Sequence, residues 1–149
     1  MRLVIGMLAS LFLFVPAVSL AQDFGSPKAV VEFAYGEINP QDGLAMHDYF
    51  SDSLNGLIAA ESARDDNEGT GLDFNPLLHG PGGGGLDYSV AAPIVSGDTA
   101  SVEVSLSKPT AETIQLLLVS QRDGWKVDDV VYADGVRLSE LLAADPLLN

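Results

Sequence analysis

Four consecutive glycines, Gly82 to Gly85, divide this chain into two halves with different hydrophobic periods. Glycine has no side chain to bury and loses more backbone entropy on ordering than any other residue. The run His79-Gly80-Pro81-Gly82-Gly83-Gly84-Gly85 is therefore expected to connect elements and not to form one. A phosphate-cradling role does not fit it, because no helix follows and no P-loop lysine is present. Before the glycines, apolar residues recur at helical spacing; after them, they alternate with a period of two. The expected fold class is α+β, with N-terminal helices packed on a four-stranded antiparallel sheet.

Ser26-Pro27 opens the first helix, serine accepting free amide protons and proline occupying the position where its missing donor costs nothing. Val30, Phe33, Ala34 and Ile38 follow at helical spacing, and Asn39-Pro40 ends the run. Asp42 is placed to cap a second, short helix carrying Leu44, Met46, Tyr49 and Phe50. Ser51 or Asp52 is placed to cap a third, whose Leu54, Leu57, Ile58 and Glu61 form a face that is apolar until its end.

In the second half, Tyr88, Val90, Ala92 and Ile94 share one side of a strand that Pro93 places partly at a sheet edge. Gly97-Asp98 turns the chain into Ala100, Val102, Val104 and Leu106, which alternate with Ser101, Glu103 and Ser105. Thr113 to Ser120 is apolar on both faces at Leu116 to Val119 and is expected to be central. Arg122-Asp123-Gly124 turns into the fourth strand at Trp125. There strict alternation would place Asp129 beside Trp125 and Val127 on the apolar face, a costly position for a carboxylate. A bulge at Asp128-Asp129 would return Val130 and Tyr132 to that face. Asp134-Gly135 closes the strand, and Leu138, Leu141 and Leu142 predict a short last helix.

The N-terminus carries an export signal: Arg2, an apolar stretch from Leu3 to Val15, a break at Pro16, and small residues at Ser19 and Ala21. Gln22 stands where a lipoprotein would carry its acylated cysteine, so cleavage without a lipid anchor is expected. The apolar stretch is shorter than the roughly 20 residues that span a bilayer. This reading divides the chain into a signal peptide, 1–21, and one domain, 22–149, that is periplasmic or secreted. Arg2 leaves with the signal, taking the formal charge from −14 to −15. Such an acidic surface repels phosphate backbones and anionic headgroups, so neither nucleic acid nor membrane insertion is expected. The absence of cysteine excludes thiol catalysis and cysteine-ligated zinc.

Three helices followed by an antiparallel meander resemble the nuclear-transport-factor-2-like superfamily. More narrowly, two segments are similar to a bacterial family of exported domains of unknown function. They are Leu72-Asp73-Phe74-Asn75-Pro76-Leu77-Leu78 and Asp123-Gly124-Trp125-Lys126-Val127-Asp128-Asp129-Val130. Some members of that family are envelope lipoproteins. The resemblance runs from Ser26 to Leu142, and it departs at Gly80-Pro81, where the glycine run begins. It implies that the four-stranded sheet is curved and meets the helices in a cone-like arrangement with a helix–sheet cavity, and in some superfamily members such a cavity carries isomerase or dehydratase chemistry.

That chemistry needs an acid or base facing a hydrogen-bond donor in apolar surroundings. Asp48, Asp73 and Asp129 are conceivable bases, and Tyr35, Tyr49, Tyr88 and Tyr132 conceivable donors, but no spacing ties any pair together. His47 and His79 are the residues able to shuttle protons near neutral pH. The binding candidates are Asp73, His79, Asp48, Tyr49, Tyr88 and Trp125, with the Asp73–Leu78 segment foremost because it is polar and loop-borne. No catalytic set, metal site or cofactor is read from the chain. The expected role is an exported, non-catalytic binding or interaction module of the bacterial cell envelope, holding a small ligand in the helix–sheet cavity or meeting an envelope protein. The alternative is a small lyase or isomerase using an Asp/Tyr pair inside the cone. Two copies could also pair as a homodimer through the open sheet face.

Overall fold

The computed structural model describes residues 24–39, 43–68, 74–79 and 85–144, and residues 1–21, expected to be a signal peptide, lie outside them. Helices α1 (Pro27–Glu37) and α2 (Asp52–Glu68) precede the strands β1 (Asp87–Val90), β2 (Ile94–Ser96), β3 (Thr99–Lys108), β4 (Glu112–Gln121) and β5 (Gly124–Val131). Helix α3 (Leu138–Ala143) follows them. The sheet is antiparallel in the order β1-β3-β4-β5, with β2 also paired to β3. The fold is thus α+β with an open antiparallel sheet, and no helix among the described residues is long and apolar enough to cross a membrane.

Two expectations are corrected. The residues from Gly43 to Phe50 are not helical; they run as a loop that reaches the sheet, with Phe50 bridging Val127 in parallel. Their capping residue, Asp42, lies outside the described residues. The first strand is broken at 91–93, so the sheet has five strands where four were expected. Pro93 cannot donate to a ladder, and both halves, β1 and β2, pair with β3 on the same side.

The apolar alternation of the sequence becomes the core. Val102, Val104, Leu106, Ile114, Leu116, Leu118, Val127 and Val130 are buried under Val30, Val31, Ala34 and Tyr35 of α1 and Leu54 and Ile58 of α2. Ser26 caps α1, its hydroxyl accepting from the Ala29 amide at 3.2 Å. Ser51 caps α2 in the same way at Leu54.

Strand β5 is an edge strand, and an uncovered edge invites pairing with other chains. Here it is covered piece by piece. The Trp125 amide donates to the Phe24 carbonyl, the Val127 amide to the Tyr49 carbonyl, and the Ser51 amide to the Val127 carbonyl. Val131 bridges Arg137. The bulge is present: Leu118 pairs with Val127 and Leu117 with Asp129, leaving Asp128 as the extra residue. Val130 and Tyr132 are buried as a result.

Candidate functional site

The 74–79 segment is bonded to Tyr35 of α1 and to Tyr132 at the end of β5, and His79 at its end meets Glu112 of β4. Leu77 and Leu78 are buried in the core, and the surrounding polar groups hold the backbone that carries them. The Tyr35 hydroxyl donates to the Leu77 carbonyl and the Tyr132 hydroxyl to the Pro76 carbonyl, both at 2.9 Å. Asn75 accepts from the Leu77 amide through Oδ1 at 3.0 Å. Burial, more than any neighbouring charge, pushes both tyrosine hydroxyls well above the usual range. Tyr132 and Glu112 add to the effect at Tyr35, and Asp129 and Glu112 at Tyr132.

His79 ends this segment. Its ring stacks on Tyr132 with centroids 3.9 Å apart and lies edge-on to Phe74, while Nδ1 stands 3.0 Å from Glu112 Oε1. The backbone of His79 has φ 45°, an uncommon conformation for a non-glycine residue, so the surrounding contacts hold it there. Glu112 Oε1 also accepts from the Ala133 amide at 3.4 Å. A carboxylate that engages Nδ1 fixes the imidazole and favours the tautomer with its acceptor at Nε2. Tyr88 joins the same group by packing its ring against Tyr35, with centroids 5.1 Å apart.

A second cluster lies on the other flank of the segment. His47 stacks on Tyr49 with centroids 4.6 Å apart. The Asn55 side chain clamps the His47 backbone, accepting from its amide and donating to its carbonyl. These rings line a cleft with Glu37, Ile38, Asn39 and Asn75.

The sequence candidates therefore separate. His79 and Tyr88 fall in the first cluster and Tyr49 in the second, while Asp73 lies outside the described residues. Asp48 is exposed, and its backbone carbonyl, not its carboxylate, is engaged, accepting from Lys126 Nζ at 2.7 Å. Trp125 is half-buried against the core and belongs to neither cluster. The two histidines likewise lie in different stacks, and no group of three or more potential metal ligands occurs among the described residues.

Asp129, conceivable as a base, is occupied otherwise. It is buried and accepts from the Ser139 amide and hydroxyl and the Val130 amide, which ties α3 to the sheet. Glu112 escaped the sequence reading although the signal was there. Counting back by twos from Leu118, Leu116 and Ile114 places it on the buried face of β4. Comparison with family models, with curated proteins and with solved structures finds no match.

Proposed function

We propose that the chain is an exported, non-catalytic binding or interaction module of the bacterial cell envelope, built on a cone-like helix–sheet fold and working at the two aromatic clusters that flank residues 74–79. One observation carries this reading. Leu77 and Leu78 are buried in one core cluster with residues of α1, α2 and the sheet, and the buried Tyr35 and Tyr132 hydroxyls are spent on backbone carbonyls. An Asp/Tyr pair poised for proton transfer would need a tyrosine hydroxyl aimed at substrate and a carboxylate facing it. Tyr35 and Tyr132 point at Leu77 and Pro76 instead, and Asp129 is bound to Ser139. The lyase or isomerase alternative is accordingly the weaker reading.

The side chain best placed to meet a ligand or partner is His79, which is 32% exposed and positioned by Glu112; half-buried His47 and buried Tyr49 line a cleft at the second cluster. The outer sheet face offers Leu117 and Val119, both half-buried, beside exposed Ile94, and pairing of two copies there belongs to the same proposal. Fractionation and N-terminal sequencing test the export step, with a mature terminus at Gln22 expected. The functional claim is tested by assaying purified protein for dehydration and isomerisation of small hydroxy- and keto-compounds. No turnover is expected; turnover abolished by Tyr132→Phe or Glu112→Gln would overturn the module reading. Sedimentation measures the self-association.

A further inference from the structure

Residues 74–79 are held in the way a bound ligand is held. The segment closes on itself: the Leu77 amide donates to Asn75 Oδ1 and the Leu78 amide to the Asn75 carbonyl, both at 3.0 Å. The turn so formed presents two adjacent leucine side chains, which join the core cluster, and two adjacent carbonyls, those of Pro76 and Leu77. The helix–sheet body meets it with side chains. The hydroxyls of Tyr35 from α1 and Tyr132 at the end of β5 donate to the carbonyls, and Glu112 of β4 engages His79. Releasing these bonds leaves the ladders of β3 with β4 and of β4 with β5 unbroken. His79 is held at φ 45°, a conformation that costs free energy and is relieved when the segment undocks.

We propose that 74–79 is the built-in occupant of a peptide-binding site, and that an uncharged aliphatic segment of a partner protein takes its place. The proposal rests on the binding-module reading and names the ligand class for the first of its two clusters. The docked segment is the template. Two neighbouring aliphatic side chains go where Leu77 and Leu78 lie, and backbone carbonyls accept from Tyr35 and Tyr132. A neutral carbonyl suits these donors better than a carboxylate. The Glu112 charge is felt at both hydroxyls; it favours their protonated, donating form and opposes a second negative group. Burying an anion there would also cost far more than burying an amide that finds its hydrogen bond. Segment and partner compete for one place, so the partner's apparent affinity is scaled by the fraction of molecules whose segment is undocked. Weakening the segment's own hold tightens the partner's.

The first measurement is amide exchange of the purified full chain in low denaturant. Leu77 and Leu78 are expected to open at least about tenfold more often than Val104 and Leu116 of the central strands, with a smaller denaturant slope, because only the segment is released. The second is a titration with the capped hexapeptide of sequence 74–79 and with a control in which both leucines are serine. Leu77→Ala weakens the segment alone and should tighten hexapeptide binding at least about tenfold, while the serine control does not bind. Opening of Leu77 and Leu78 only together with Val104 and Leu116 would overturn the proposal, as would equal hexapeptide affinity in Leu77→Ala or equal binding of the serine control. Should Leu77→Ala not melt cooperatively, exchange in the unaltered chain decides alone. Failure on these counts leaves the module reading standing at His79, since that reading falls by turnover instead.

Discussion

Tyr132 lies face to face with His79, ring planes 13° apart, while its hydroxyl reaches past the ring to the Pro76 carbonyl. One side chain at the end of β5 thus secures two points of a segment more than 50 positions earlier in the chain. Its bulk fills the end of the core, and its polar tip satisfies a buried carbonyl that water cannot reach.

Tyr132→Phe separates these contributions. The ring and its stack on His79 are retained, and the Pro76 carbonyl loses its donor. Leaving a buried acceptor unsatisfied costs about 1–3 kcal/mol, and the denaturant midpoint should fall accordingly without a change in slope. Tyr132→Leu removes the stack as well and should cost more.

Stability should decline in alkali, as pH rises above ~10. Burial raises the Tyr35 and Tyr132 hydroxyls above the ordinary value, so the folded protein keeps protons that the unfolded chain releases near pH ~10. Their contribution is complete below pH ~10 and is lost as pH rises above it, at up to about 1.4 kcal/mol per pH unit for each tyrosine. Denaturant unfolding at several values between pH ~9 and ~11 should show this slope, and Tyr35→Phe should roughly halve it.

Gly124 is fixed by two constraints at once. Its φ is 110°, and an added Cβ would stand 2.8 Å from the Phe24 carbonyl oxygen. Phe24 approaches that closely because its carbonyl accepts from the Trp125 amide, closing one end of the β5 edge. Gly124→Ala should therefore cost about 2 kcal/mol or more and loosen the Phe24 contact, seen as faster amide exchange at Trp125.

Much of this was legible from side-chain period. The apolar alternation of β3 and the conflict at Asp129 place the core face and the bulge, because a buried carboxylate and a buried valine cannot exchange positions without penalty. The Gly43–Phe50 stretch misled because the spacing of Leu44, Met46, Tyr49 and Phe50 suits a helix. Its use is set by a long-range partner, the free edge of β5, which no local pattern reveals. The site was read only as a roster of residue types. That His79 meets Glu112, and Tyr35 meets Leu77, depends on long-range docking of the 74–79 segment, 33 and 42 positions away in the chain. Asp129 looked like a base for the same reason: its partner, Ser139, comes from the next helix.

The bulge gives the last prediction, and its sign is unusual for a deletion within a strand. Asp128 is the residue without a cross-strand partner, so removing it leaves Val127 opposite Leu118 and the following residues opposite Leu117, Leu116 and Gln115. No side chain changes face. What is lost is the hydrogen bond from the Ser51 hydroxyl to Asp128, at 2.7 Å, together with the local bend. Deletion of Asp128 should thus leave a folded protein destabilised by about 1–3 kcal/mol, with Val130 and Tyr132 still buried. Deletion of Val131 removes one residue from regular pairing and turns Tyr132 to the outer face, away from both Pro76 and His79. Loss of a buried aromatic contact of that size costs about 3–5 kcal/mol, and this variant should be largely unfolded or lack the near-ultraviolet dichroism of a packed core. Equal damage from the two deletions would contradict the register described for β5.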